Sequence, residues 1–218
     1  MTTTDRTGNT GKVWKTFDRD YRSRPAYFGG GASRALLRRL PDRPRPFHVL
    51  DLGSGPGRNA LALARRGCTV TAVDMAESAV RQLNERAEAL GLPVDARCRD
   101  VRDLRAEPET YHMVVATTVL GHIDRAELPD LCRRIVRWLK PGGLLFAEEF
   151  STGDPGCELQ EGASEFATLV KHYFAPGELE QLFGALEPAV SRRISVTDDT
   201  HGHTHEHELV RLLARKPS

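Results

Sequence analysis

Apolar and polar positions along this chain switch repeatedly between a strand-like and a helix-like period. Val49, Leu50 and Leu52 form a short apolar run broken only by Asp51, which reads as a strand buried on both faces. Cys68 to Val73 reads as a second strand that ends at Asp74. Over 76–90 the period changes: Val80, Leu83, Ala87 and Leu90 recur at helical spacing, and Gly91 stands at the C-cap. Val94–Cys98 and Tyr111–Thr117 are predicted as the third and fourth strands. A helix over 125–139 presents Leu128, Leu131, Ile135 and Leu139 on one face and is stopped by Lys140-Pro141-Gly142-Gly143. Leu144–Ala147 is the fifth strand. Such alternation predicts an α/β fold, a doubly wound and mostly parallel sheet with helices on both faces. Val190–Val196, a turn over 197–202 and Thr204–Ala214 predict a closing β-hairpin.

The first 45 residues follow a different pattern. Residues 1–12 are Thr/Gly-rich and are expected to fray. Trp14, Phe17, Tyr21, Tyr27 and Phe28 then crowd among charges over 13–28, too many aromatics for a plain solvated tail. Gly29-Gly30-Gly31 predicts a hinge, Ala32–Leu40 a short helix, and residues 41–46 a stiff proline linker. The chain therefore divides into an N-terminal aromatic lid segment with its helix, 1–45, and a main domain, 46–218, as one domain overall.

Composition narrows the partners. The 218 residues are 39% hydrophobic and 28% charged with net charge +1, which offers no basic field for a phosphate backbone or an anionic membrane. A small-molecule partner, no nucleic acid, no membrane and a monomer or homodimer are expected. Neither a transmembrane span nor a signal core is legible. Cys68, Cys98, Cys132 and Cys157 lack C-x-x-C spacing, so reduced thiols and a cytoplasmic location are expected.

The chemistry starts at Asp51-Leu52-Gly53-Ser54-Gly55-Pro56-Gly57-Arg58. A strand, a glycine turn and a helix N-terminus, with an acid (Asp74) ending the next strand, form a nucleotide-binding first unit. Dinucleotide sites use G-x-G-x-x-G, and here Arg58 breaks that spacing. No G-K-[ST] follows, which excludes a P-loop. The run D-L-G-S-G-P-G resembles motif I of the class I S-adenosylmethionine-dependent methyltransferases. The resemblance is close over 46–150 and looser beyond. Trp14–Pro25, His172–Phe183 and the ending from His201 to Pro217 look like the small-molecule branch that includes the tellurite-resistance and thiol-type enzymes.

That resemblance implies the following assignments. S-adenosylmethionine is the cofactor and S-adenosylhomocysteine its product. Asp51, Gly53, Ser54 and Gly55 meet the methionine end. Asp74 binds the ribose hydroxyls, and Met75 packs on adenine. Asp100 and Val101 lie at the adenine edge, the carboxylate accepting from the exocyclic amine. Thr117 offers backbone contacts. In the same family the last strand of the hairpin runs antiparallel to its neighbours.

Methyl transfer from a sulfonium needs alignment of the acceptor, exclusion of water and sometimes removal of a proton. His122 after strand four and Glu149, which alternates with Glu148 at the end of strand five, are candidates for the base. Tyr21 is a candidate from the N-terminal segment and His203 one from the hairpin, while residues 160–175 are placed for a lid. His201, His203, His205 and His207 share one face at period two, and His201, His203 and His205 are the candidate ligands of a divalent metal. The expected function is methyl transfer to a heteroatom (S, Se, Te, O or N) of a small molecule. The Asn/Asp-Pro-Pro-Tyr signature for amide or base nitrogen is absent, since Ala116-Thr117-Thr118-Val119 stands at its place. Alternatives are an NAD-dependent oxidoreductase, a non-catalytic donor-binding protein, or a histidine-rich metal binder.

Overall fold

A computed structural model describes residues 7–23, 31–40, 46–158, 169–198 and 204–218. Seven strands form one sheet in the order β3-β2-β1-β4-β5-β7-β6. They are β1 Phe47–Leu52, β2 Cys68–Asp74, β3 Val94–Cys98, β4 Tyr111–Thr117, β5 Leu139–Phe150, β6 Glu187–Asp198 and β7 His205–Arg215. Pairings among β1 to β5 are parallel, while β7 runs antiparallel to both β5 and β6. The helices are α1 Thr7–Ser23, α2 Arg34–Leu37, α3 Arg58–Arg65, α4 Glu77–Ala89, α5 Leu128–Trp138 and α6 Glu178–Leu182.

Strand alternation supplies two cores. Leu50, Leu52, Val114, Ala116, Leu145 and Ala147 face Leu128, Leu131 and Ile135 of α5 and Leu179 of α6. Val49, Val70, Met113, Val115 and Phe146 face α3, α4 and Leu36 of α2. Residues one apart on a strand thus bury against opposite layers, which is why these strands lack a polar face. No described helix is long and apolar enough to cross a membrane.

Several boundaries differ from the sequence reading. The predicted frayed segment 1–12 is helical from Thr7, and α1 runs through most of the aromatic segment. Weak local propensity is overridden by tertiary contacts near its end, where Asp18 Oδ1 accepts from the Ser78 amide at 2.7 Å and Ser78 Oγ donates to the Asp18 carbonyl at 2.9 Å. The predicted helix over 32–40 shrinks to α2, capped by Ser33 Oγ. Lys140–Gly143 ends α5 as expected but lies inside β5, which is far longer than 144–147. A register shift between Tyr111 and Met113 and a left-handed Gly142 (φ +69) accommodate it.

Candidate functional site

The glycine turn between β1 and α3 is held from below and covered from above. Gly53 N and Ser54 N donate to the Val73 carbonyl at 2.8 and 3.1 Å, which ties the turn to the end of β2. Gly55 has φ +52, and a Cβ there would sit 2.9 Å from Tyr21 Oη. Gly57 (φ +93) caps α3, and a Cβ on it would sit 2.1 Å from Leu83 Cδ1. It therefore packs the helices closely, one residue earlier than the dinucleotide pattern places its third glycine.

The three acids have different surroundings. Asp51 is 1% exposed, and neither carboxylate oxygen has a donor at full hydrogen-bond geometry, the Ala60 amide giving only a weaker pull. Burial pushes its carboxyl up to about 7, with Arg58 pulling the other way. A buried carboxylate without a donor is costly, so the position is built for a polar group that the protein itself does not provide. Asp74 is likewise raised by burial. Its Oδ2 accepts from Gly55 N and its Oδ1 from Ala76 N, both at 2.8 Å, so it holds the turn and starts α4 together. Asp100 is paired: Arg102 Nε donates to both its oxygens at 3.0 Å. Arg102 also bridges to Glu127 at 2.8 Å, and this fixes the loop after β3. Val101 is buried beside it, while Met75 is half-buried just after Asp74.

α1 lies over this turn. Phe17 and Tyr21 stack at 6.2 Å, and Phe17 meets the His122 ring edge-on at 5.1 Å. Gln82 Nε2 donates to the Tyr21 carbonyl at 2.8 Å. Arg24 and Tyr27 lie outside the described residues. Burial alone would raise the Asp18 carboxyl, but the Ser78 bonds and Arg22 hold it below its ordinary value. A depressed carboxyl stabilises above the unfolded value near pH 4 and loses that contribution as pH falls through the folded value. Asp18→Ala is therefore expected to cost about 1–2 kcal/mol in urea unfolding at pH 7. The difference from wild type should shrink below about pH 4.

The turn after β4 is the second wall. Thr117 Oγ1 accepts from the buried Asn59 Nδ2 at 3.2 Å, and Asn59 Oδ1 accepts from the Ser33 amide at 3.1 Å. Asn59 thus joins α2, α3 and β4, a role that sequence reasoning missed. Thr118 has φ +51, an uncommon conformation for a β-branched residue, and was also missed. Glu149, fully buried at the end of β5, accepts from Val119 N, Leu120 N and Gly121 N at 3.0, 2.8 and 3.1 Å. It lies on the opposite sheet face from Glu148, which pairs with Arg211. Burial pushes its carboxyl up to about 8. Both oxygens are occupied by backbone, so the structure gives Glu149 a positioning role rather than the open base of the sequence reading.

His122 follows on the 3-10 turn Leu120–His122. Its Nδ1 lies 2.9 Å from the Leu169 carbonyl. A carbonyl only accepts, so Nδ1 carries the proton and Nε2 the lone pair. Burial, and then Lys171, lower its pKa and keep the ring neutral. Lys171 N and His172 N donate to the Gly121 carbonyl at 2.8 and 3.0 Å, so the end of the expected lid lies against this turn. Residues 159–168 of that segment lie outside the described residues.

Of the histidine row, His201 and His203 lie outside the described residues. His205 and His207 open β7 at the carboxyl edge of the sheet, one strand beyond Phe150 of β5. Among the described residues Asp198, His205 and His207 come together there, since strand pairing sets Asp198 opposite His205.

S-adenosylmethionine can be tested against these groups. The orphaned Asp51 carboxylate suits an ammonium group, Asp74 a diol, and the glycine turn allows close backbone approach; the residues fit. Residues 49–143 match the family described as Methyltransferase domain. Over 108 residues the chain is 40% identical to a ubiquinone biosynthesis O-methyltransferase of Methylocella silvestris, covering 48% of this chain and 41% of that protein. It is 28% identical over 190 residues to hemagglutinin 1 of Eikenella corrodens, covering 87% of this chain and 61% of that one. The chain thus spans less than two thirds of the length of these curated relatives. TehB of Haemophilus influenzae superposes with TM-score 0.70 at 23% identity, over 94% of this chain and 67% of that one. The matched segment, the sheet order and the glycine turn together support a class I S-adenosylmethionine-dependent methyltransferase fold around residues 49–143.

Proposed function

We propose that the protein methylates a small molecule at an ionisable O–H or S–H, with His122 as the base. When bound, S-adenosylmethionine supplies a methyl group activated by its sulfonium. Asp51 holds the ammonium end, Asp74 the ribose, and Met75 and Val101 flank the adenine. α1 closes over the turn through Tyr21 and Phe17 and keeps water out. Glu149 fixes the 118–122 turn that carries His122. His122 Nε2 takes the acceptor proton and leaves an oxyanion or thiolate as nucleophile.

The neutral, tautomer-fixed His122 beside the lid carries this reading, because a soft acceptor that is already ionised needs no such group. The O-methyltransferase relatives agree with it; the TehB likeness concerns the fold. S-adenosylhomocysteine formation would be followed with phenols, thiols, amines, tellurite and selenite in parallel. Turnover with a phenol or thiol is expected, and His122→Gln should lower kcat by about 10²- to 10⁴-fold. The wild-type pH profile should show an acid limb below the ordinary histidine range that the variant lacks. Turnover of amines alone, or a variant at full rate, contradicts the assignment. Donor binding without turnover of any acceptor points to a binding protein.

A further inference from the structure

The end of the β6–β7 hairpin where Asp198 pairs with His205 brings together groups that the donor site does not use. β7 is separated from β1 by β4 and β5. One ligand atom from each of Asp198, His205 and His207 lies within 4.8 Å of the others. His205 Nε2 and His207 Nε2 are 3.0 Å apart. Two nitrogens bound about 2.0–2.1 Å from one tetrahedral zinc ion lie roughly 3.3 Å apart, so little movement separates this pair from a shared ion.

A second observation orients the pair. The Asp154 side chain is 1% exposed, and its Oδ2 lies 2.8 Å from His207 Nδ1. The same oxygen accepts from Glu208 N at 3.0 Å, and Oδ1 accepts from Gly156 N at 2.8 Å. An acceptor-only carboxylate requires the proton on His207 Nδ1, so the lone pair sits on Nε2 and faces His205. Buried carboxylate, histidine and outward Nε2 form the arrangement that orients metal-bound imidazoles. Phe150, 4.9 Å from His207 between ring centres, packs against the ring. Without a metal, one Nε2 must carry a proton toward the other; a cation takes that proton's place.

We propose that Asp198, His205 and His207 bind one divalent transition-metal ion of the zinc type, with Asp154 as a positioning residue. Two imidazoles and a carboxylate suit Zn²⁺ better than Mg²⁺ or Ca²⁺, which favour oxygen ligands. Three protein ligands leave one coordination position open. The ion ties the end of β6 to the start of β7.

The test is titration of chelator-treated full chain with Zn²⁺ alone, in competition with a chromophoric chelator. Binding of one ion is expected. His205→Ala/His207→Ala should weaken it at least about 100-fold, and Asp154→Asn about 10- to 100-fold. S-adenosylmethionine binding should survive in both variants, which shows that they are folded. His201→Ala/His203→Ala should still bind Zn²⁺. Substituting Co²⁺ in the unmutated chain should give the visible absorption of a tetrahedral site, a reading that needs no variant. Failure of the wild type to outcompete the chelator overturns the proposal. So does loss of binding in His201→Ala/His203→Ala with retention in His205→Ala/His207→Ala.

Discussion

Replacing Asp51 with asparagine is expected to weaken S-adenosylmethionine binding about 10- to 100-fold, the size of one charge-assisted hydrogen bond. The same change should make the ligand-free protein harder to unfold at pH 8. Both effects have one cause. The Asp51 carboxylate is buried with no donor at full hydrogen-bond geometry on either oxygen. In the free protein that charge is a burden; with a cationic ammonium against it the burden becomes affinity. Its folded-state pKa, raised by burial to about 7, lies above the unfolded value. The folded state therefore holds the extra proton between about pH 4 and 7, and stability falls as pH rises through that window. An amide at this position has no proton to lose, so the Asp51→Asn variant should lack the Asp51 share of that fall and keep the shares of Glu149 and Asp74. Donor affinity should run the opposite way in wild type, tightening as pH rises through about 7 while Asp51 ionises. Calorimetric titrations at pH 6 and 8, with urea unfolding at the same values, check both halves. Equal donor affinity in wild type and Asp51→Asn would remove Asp51 from the site.

The largest stability effect is expected at Glu149. Glu149→Ala leaves the amides of Val119, Leu120 and Gly121 without their acceptor. Unsatisfied buried donors cost about 1–3 kcal/mol each. Removing a desolvated carboxyl offsets part of that, so a net loss of about 3 kcal/mol is expected. For a chain of this size that lowers Tm by roughly 10 °C. Glu149→Gln should fall between the two. Oε1 accepts from Val119 and Leu120, but an amide nitrogen in place of Oε2 sets donor against donor at Gly121. A group that only removed a proton from the acceptor would behave otherwise, with kcat falling and Tm unchanged in both variants. Differential scanning calorimetry beside initial rates separates the two roles.

Elements whose pattern was set by their own burial were legible. β3 and β4 have the predicted ends; in β4 the buried run coincides with the strand, while β3 is an edge strand with only Ala96 buried. α4 differs by one residue at each end. The ladder through Lys140-Pro141-Gly142-Gly143 was not legible, since a proline-glycine run reads as an end, and only a neighbouring strand with a register shift keeps it in the sheet. Nor was α1, whose polar sequence depends on Asp18 meeting Ser78 sixty residues away.

The site divides in the same way. Asp51, the glycines and Asp74 were readable because strand, turn and helix are contiguous in sequence. The pairing of Asp100 with Arg102, two residues on, was not legible, because it forms through a local turn. Strand alternation sends Glu148 and Glu149 to opposite faces, and they lie there. The turn that wraps the Glu149 carboxylate is backbone geometry that no residue type signals. Asp198 went unseen as a partner of His205 because cross-strand register depends on the hairpin, not on spacing within either strand.

The most direct measurement is a calorimetric titration of the unmutated chain with S-adenosylmethionine, beside one with reduced nicotinamide dinucleotide. Saturable one-to-one binding of the first, weakened in Asp51→Asn, and no heat from the second is the predicted result. Binding of the dinucleotide in preference, or no S-adenosylmethionine binding by a folded chain, would contradict the account.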